Sequence, residues 1–192
     1  MVLKFSFEEK KEILKAWVAI SFAFGILISK SLNLQNLFEN FFISFITVGI
    51  GFLFHELAHK FVAQKYKYFA EFRADNKMLV IAIISSFFGV LFAAPGGVII
   101  QGGIDKEKYG KIACAGPLMN IIIAIIFLII SFSNNNLIKL IGSYGFNINS
   151  WLALFNLIPI YPFDGASVLK GSKKIYFSLL IFAGFFMILG YV

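Results

Sequence analysis

Residues 37–66 read LFENFFISFITVGIGFLFHELAHKFVAQKY. From Leu37 to Phe54 the run is largely apolar and holds one charge, Glu39 near its start. That length is enough to cross a bilayer, for which about 17–25 residues suffice. After Phe54 no Gly or Pro stops the helix, so His55-Glu56-Leu57-Ala58-His59 continues it. Residues four apart share a helix face, so the two imidazoles converge on one point. This H-E-x-x-H spacing suits Zn²⁺, and Glu56, beside the first ligand, can reach a water as general base. Both histidines of the 192-residue chain lie in this motif. Intramembrane His and Glu can also simply bond across helices. Three ionisable groups at this spacing within an apolar run are too costly for packing alone and read as function.

The composition fits that reading. Hydrophobic residues make up 59% and charged residues only 14%, against roughly 25% charged in an average soluble domain. So few charges cannot cover a water-facing surface, which excludes a soluble globular enzyme, a disordered chain and a nucleic-acid-binding domain. The net charge of +7 then reads as loop charge that fixes orientation. The one cysteine, Cys114, excludes an intramolecular disulfide framework and a cysteine-rich metal site.

Six apolar windows stand out: residues 13–29, 37–54, 78–100, 112–132, 148–163 and 175–192. The first lacks a small-residue cleavage site and reads as a retained anchor. If all six cross, Lys and Arg divide weakly between the two sides. If residues 78–100 enter and return on one side, all of the 17 Lys+Arg except Lys30 and Lys139 fall on the cytoplasmic side. Pro95, Gly96 and Gly97 interrupt a helix there and permit a turn. The expectation is an all-α polytopic membrane protein of five to six transmembrane helices, with a re-entrant or extended segment around residues 78–103. Residues 1–192 form one integral membrane domain, its core at about 37–170 and peripheral helices at 13–29 and 175–192.

A catalytic zinc site usually has three protein ligands and one position open to water. With no third His, the remaining ligand must be a carboxylate. Asp164, closing the run NLIPIYPFDG (Asn156 to Gly165), stands apart from the acids in charged loops and flanks. By itself it reads as a boundary residue beside a turn Gly; beside an unfilled ligand position it reads as the third ligand. His55 lies about 27 Å along its helix from Leu37, and Asp164 about 24 Å from Ile148. Both meet one metal only if the two windows run the same way, which the re-entrant topology allows and six crossings do not.

These residues resemble the site-2 proteases, the intramembrane zinc metalloproteases. The likeness rests on HELAH in a membrane helix, on Ala115-Gly116-Pro117-Leu118-Met119-Asn120 opening the next core helix, and on NLIPIYPFDG, together spanning roughly residues 40–170. It implies a three-helix core in which His55, His59 and Asp164 hold one zinc per chain and Glu56 is the base. Asn156 would help hold the substrate or the oxyanion. PGGVIIQGG resembles the extended membrane-embedded segment of the family, so Gly96 and Gly97 are expected to bind substrate by strand addition, with Asn120 near them. Gly116 and Asn120 are equally open to a close helix contact with one interhelical bond and to a direct role near the metal. Here Ala166 follows Gly165 where many members carry a second Gly, and no PDZ or CBS module is recognisable. The implied partners are a transmembrane protein substrate and the lipid bilayer, with no nucleic acid, in a multi-pass cell-membrane protein whose N-terminus and active-site side are cytoplasmic. The alternative is a non-catalytic zinc-binding scaffold or a metal carrier. A carrier needs polar groups leading across the bilayer on both sides of the site, and the other windows are nearly bare of them.

Overall fold

The computed structural model describes residues 3–29, 33–91 and 95–190. Helix α1 (Phe7–Ile28) starts at Ser6, whose Oγ accepts from Glu9 N at 3.0 Å, with Glu8 and Glu9 in the electropositive first turn. Helices α2 (Leu34–Ile46) and α3 (Val48–Lys65) form one rod, interrupted at Thr47. There ψ departs to −77° and Oγ1 donates to the Ile43 carbonyl at 2.6 Å, the back-bonding that bends helices. Strand β1 (Phe69–Ala74), helix α4 (Asn76–Ser86) and strand β2 (Gly96–Gln101) follow. Then come α5 (Lys106–Ala113), α6 (Ala115–Ser131), α7 (Asn136–Asn156), α8 (Asp164–Gly171) and α9 (Lys173–Leu189).

The fold is mostly helical, but it is not all-α. β1 and β2 form a two-stranded antiparallel ribbon running from Phe69↔Gln101 to Ala74↔Gly96. The uncharged run 78–100 hides a switch of periodicity. Its first part is a helix capped by Asp75 Oδ1, which accepts from Lys77 N and Met78 N. Gly89, at φ +75°, ends it: Gly89 N donates to Ser86 O and Val90 N to Ser85 O, a Schellman motif. The last part is Gly-Gly followed by Val98, Ile99 and Ile100, β-branched residues that favour a strand. Gly96, at φ +134°, opens that strand with its α-carbon against the Arg73–Ala74 backbone, where no side chain fits.

Asp75 N donates to Pro95 O at 3.1 Å, so the excursion between β1 and β2 starts and ends at one place. Helix α4, about 16 Å long, is shorter than the roughly 30 Å of a hydrocarbon core. The chain turns back just beyond Ser86, and Pro95-Gly96-Gly97, expected to make the reversal, instead start the returning strand. Residues 92–94 of this segment lie outside the described residues.

Among the described residues, two helical runs are long and apolar enough to cross a membrane, Leu34–Lys65 and Lys106–Ser131. The fifth sequence window is displaced. α7 begins at Asn136, capped by the Asn135 side chain, and ends at Asn156. Asp164 therefore does not close a membrane helix; it sits in the first turn of α8.

Small residues let the helices approach closely. Ala16 and Ala23 of α1 pack with Phe72 of β1 and Leu79 and Ala82 of α4, while Ala153 of α7 packs with Val168 of α8 and Ala183 of α9. At the α6–α7 contact, a Cβ on Gly142 would overlap the Ser131 backbone. Backbone cannot rotate away as a side chain can, so Gly142→Val should destabilise by about 1–3 kcal/mol. A thermal melt in detergent should then show the midpoint fall by roughly 2–4 °C per kcal/mol. An unchanged midpoint would mean that these two helices do not pack as closely as described.

Candidate metal centre

Helix α3 turns one face, that of His55 and His59, toward α6. His55 Nε2 and His59 Nε2 lie 3.0 Å apart, and each is 3.2 Å from Asp164 Oδ2. The two histidines are buried, and Asp164 is partly exposed. The three ligands expected from sequence are thus brought to one point from two places in the chain.

The opposite ring nitrogens decide the protonation. His59 Nδ1 is 2.9 Å from the Ile112 carbonyl, which only accepts, so Nδ1 carries the hydrogen. His55 Nδ1 is 2.6 Å from Asn120 Oδ1. Asn120 is oriented by its other end, where Nδ2 donates to Gly51 O at 3.2 Å and to Asn149 Oδ1 at 3.1 Å. Asn149 is fixed in turn, its Nδ2 donating to Gly145 O at 2.9 Å. This relay from α7 through α6 makes Asn120 Oδ1 an acceptor and His55 Nδ1 a donor. A hydrogen bond at the far nitrogen is what fixes the tautomer of a metal-ligating histidine.

In the neutral rings both Nε2 atoms therefore present lone pairs. They face a carboxylate oxygen that is itself buried without a hydrogen-bond donor. With both rings neutral, these three electron-rich atoms within 3.2 Å repel one another; a proton on one Nε2, donated to the carboxylate, or a metal cation between all three relieves that. The donor set of two imidazoles and one carboxylate matches catalytic zinc sites with a fourth position open. For metal–ligand bonds near 2.0–2.1 Å in a tetrahedron, ligand atoms sit about 3.3 Å apart, close to what is seen. A Cβ on Gly116 would run into both Nε2 atoms, so this glycine leaves the space beside them clear. The residues fit zinc.

The other expected site residues fall in different places. Glu56 points to the ribbon, its Oε2 accepting from Val98 N at 3.1 Å. Gly97 adjoins it: an added Cβ would stand 3.9 Å from the same oxygen. Gly96 contacts β1. Asn120 is wholly buried and its amide is spent on His55, Gly51 and Asn149, so it positions a ligand and presents nothing to a peptide. Asn156 closes α7 with Nδ2 donating to Leu152 O at 3.0 Å, within its own helix. Sequence reasoning missed Asn149 and the Ile112 carbonyl. An Asn within the uncharged window 148–163 was the available signal for the first; a backbone carbonyl leaves none.

No family model matches the chain, and no solved structure matches it. Two proteins of Methanocaldococcus jannaschii do. One, provisionally named a zinc metalloprotease, is 47% identical over 140 residues, covering 71% of this chain and 73% of that protein. Another, named a zinc metalloprotease, is 33% identical over 159 residues, covering 81% of this chain and 42% of its own length. Two such relatives, alongside a centre built to hold zinc, mean that the chain belongs to the zinc metalloproteases.

Proposed function

We propose that this chain is an intramembrane protease of the site-2 type, cutting transmembrane segments of membrane proteins. One observation carries the zinc hydrolase chemistry: two imidazole nitrogens and a carboxylate oxygen converge within 3.2 Å of one another beside a glutamate that is not one of them. His55, His59 and Asp164 would hold zinc, which would supply Lewis acidity toward a carbonyl oxygen and make a nearby water easier to deprotonate. Glu56 takes the proton of the attacking water and returns it to the leaving amine. To do so its carboxylate exchanges the Val98 N–H for the water. Asn156 meets the developing oxyanion only by releasing the Leu152 carbonyl, an exchange of one hydrogen bond for another.

The ribbon supports a peptide substrate. Phe72 N and Val98 N both point away from the other strand, to Glu9 and Glu56. Gly96 and Ile100 share the orientation of Val98 by the two-residue repeat, so this edge of β2 carries main-chain groups for an incoming strand. A helix hides its carbonyls in its own hydrogen bonds and must unwind to be cut. Substrates with Gly, Pro or Asn near the scissile bond fit that need.

Membrane embedding is supported by the outer surfaces. Ile122, Ile126 and Ile129 of α6 and Ile181, Phe182 and Phe185 of α9 are exposed without a polar neighbour among them. The reading is five crossings, by α1, α2–α3, α5–α6, α7 and α9, with the ribbon and α4 re-entrant from the cytoplasmic side. The N-terminus and the site then face the cytoplasm, in the cell membrane.

Glu56→Gln should abolish cleavage of a helix-weakened model transmembrane substrate while bound zinc stays at one per chain; retained cleavage would remove Glu56 as the base. Asp164→Ala and His59→Ala should lose zinc and activity together. Metal analysis of Asn120→Leu should show zinc affinity reduced about 10- to 100-fold, the usual effect of removing a partner of a ligating histidine. In a Cys114→Ser background, cysteine at Lys108 should resist a membrane-impermeant thiol reagent applied outside, while cysteine at Asn135 should react. Labelling at 108 would mean a full crossing before α5.

A further inference from the structure

Glu9 and Lys60 form an ion pair buried to about 1% exposure on both side chains, with Lys60 Nζ 2.6 Å from each carboxylate oxygen. Burying two charges is expensive unless their remaining hydrogen-bonding capacity is also met. Here it is met by the ribbon. Glu9 Oε1 accepts from Phe72 N at 2.8 Å, and Lys60 Nζ donates to Ala70 O at 3.0 Å. Glu12, one turn further along α1, accepts from Ala74 N at 3.2 Å. Carboxylates of α1 thus take the place of a strand along the outer edge of β1.

Glu56 and Lys60 are four residues apart on α3 and lie on one stripe of it. Glu56 holds Val98 at one edge of the ribbon; Lys60, through Glu9, holds Phe72 at the other. Phe72 and Val98 are opposite one another in the ladder. A circuit therefore closes: Glu56 to Val98, across the ladder through the flanking pairs Glu71↔Ile99 and Arg73↔Gly97 to Phe72, Phe72 to Glu9, Glu9 to Lys60, and back along one turn of α3. When Glu56 turns to water, the hydrogen bond at its edge of the ribbon is released, and the polar ties to the catalytic helix that remain are those at the opposite edge, alongside the apolar contacts of Phe52 and Ala63.

We infer that Glu9 and Lys60 are positioning residues: they clamp the β1–β2 ribbon to α3 at the edge away from the substrate. The β2 edge then keeps its place beside the metal centre while Glu56 is engaged in catalysis. The inference rests on Glu56 being the base and β2 the substrate edge. It predicts an effect on substrate binding more than on the chemical step, because neither residue touches the reacting atoms.

The test uses the full chain in detergent, with amide hydrogen exchange, metal analysis and steady-state cleavage of the model transmembrane substrate. For Glu9→Ala, amides of residues 69–74 and 96–101 should exchange about tenfold faster or more, with α6 and α7 unchanged and zinc still at one per chain. KM should rise about tenfold with kcat within about twofold. Unchanged ribbon exchange, or a fall in kcat at constant KM, overturns the clamp. If Glu9→Ala unfolds, Glu12→Ala decides: it removes only the Ala74 bond and should speed ribbon exchange about threefold, and no change there overturns the clamp. Exchanging the pair, Glu9→Lys with Lys60→Glu, keeps opposite charges but reverses donor and acceptor, so Phe72 N loses its acceptor. This double variant should stay as impaired as Glu9→Ala; full recovery would reduce the pair to charge matching and overturn the proposal. A wild type that cleaves nothing would defeat the protease reading, while the exchange measurements would still decide the clamp.

Discussion

The structure is organised around a repulsion. With the imidazoles neutral, two ring lone pairs and a carboxylate oxygen face one another within 3.2 Å. An arrangement of that kind persists only when something else holds each member in place. For His59 it is the Ile112 carbonyl in α5; for His55 it is the amide relay through Asn120 and Asn149 in α6 and α7. Asp164 is delivered by a different element, the first turn of α8, where the helix dipole favours its charge. Four helices thus converge on α3 because each supplies or orients one atom of the centre.

Helix α3 does this by using two of its stripes for two purposes. Positions 55 and 59 face the ligand-orienting helices; positions 56 and 60, one residue on and so about 100° around the axis, face the ribbon. One helical turn and a half therefore fixes the distance between the metal centre and the strand edge. At the β1 edge, Glu9 of α1 completes the grip that Lys60 begins. The ribbon, which cannot stand alone as two strands, is made rigid by being gripped at both edges from the same helix.

Much of the centre was legible in the sequence because its determinants are local. His55, Glu56 and His59 are set by helical spacing, and Asp164 followed from counting the acids against an open ligand position. For Asn120 an interhelical bond was legible but its partners were not: they include Asn149, 29 residues away, and an apolar window gives no sign of which amide it will meet. Glu9 and Lys60 looked like flanking charges, since their pairing across 51 residues is a tertiary fact. The window 78–100 was uniformly apolar, and apolarity alone cannot separate a helix from a strand; the Gly89 cap and the positive φ of Gly96 make the division. The start of α7 was missed because Asn136, Lys139, Ser143 and Asn147 break the apolar run without breaking the helix.

The polar interior also explains why the centre demands a cation. Asn120, Asn149 and Ser150 are wholly buried, and each is bonded to a partner within the fold. Among the described residues, the buried side-chain atoms without a hydrogen bond are Ser44 Oγ, an uncharged hydroxyl, and Asp164 Oδ2. A lone hydroxyl costs about 1–3 kcal/mol, which a fold can absorb. A carboxylate oxygen pressed against two lone pairs is a different case, since an uncompensated buried charge costs several kcal/mol. Zinc binding to preorganised ligands releases on the order of 10 kcal/mol and removes the repulsion with it. The same bonds that leave Asp164 Oδ2 without a donor are those that turn both Nε2 lone pairs toward it. The electrostatic deficit is therefore a consequence of how the relay orients the rings, and a metal cation at that point offsets it against all three atoms at once.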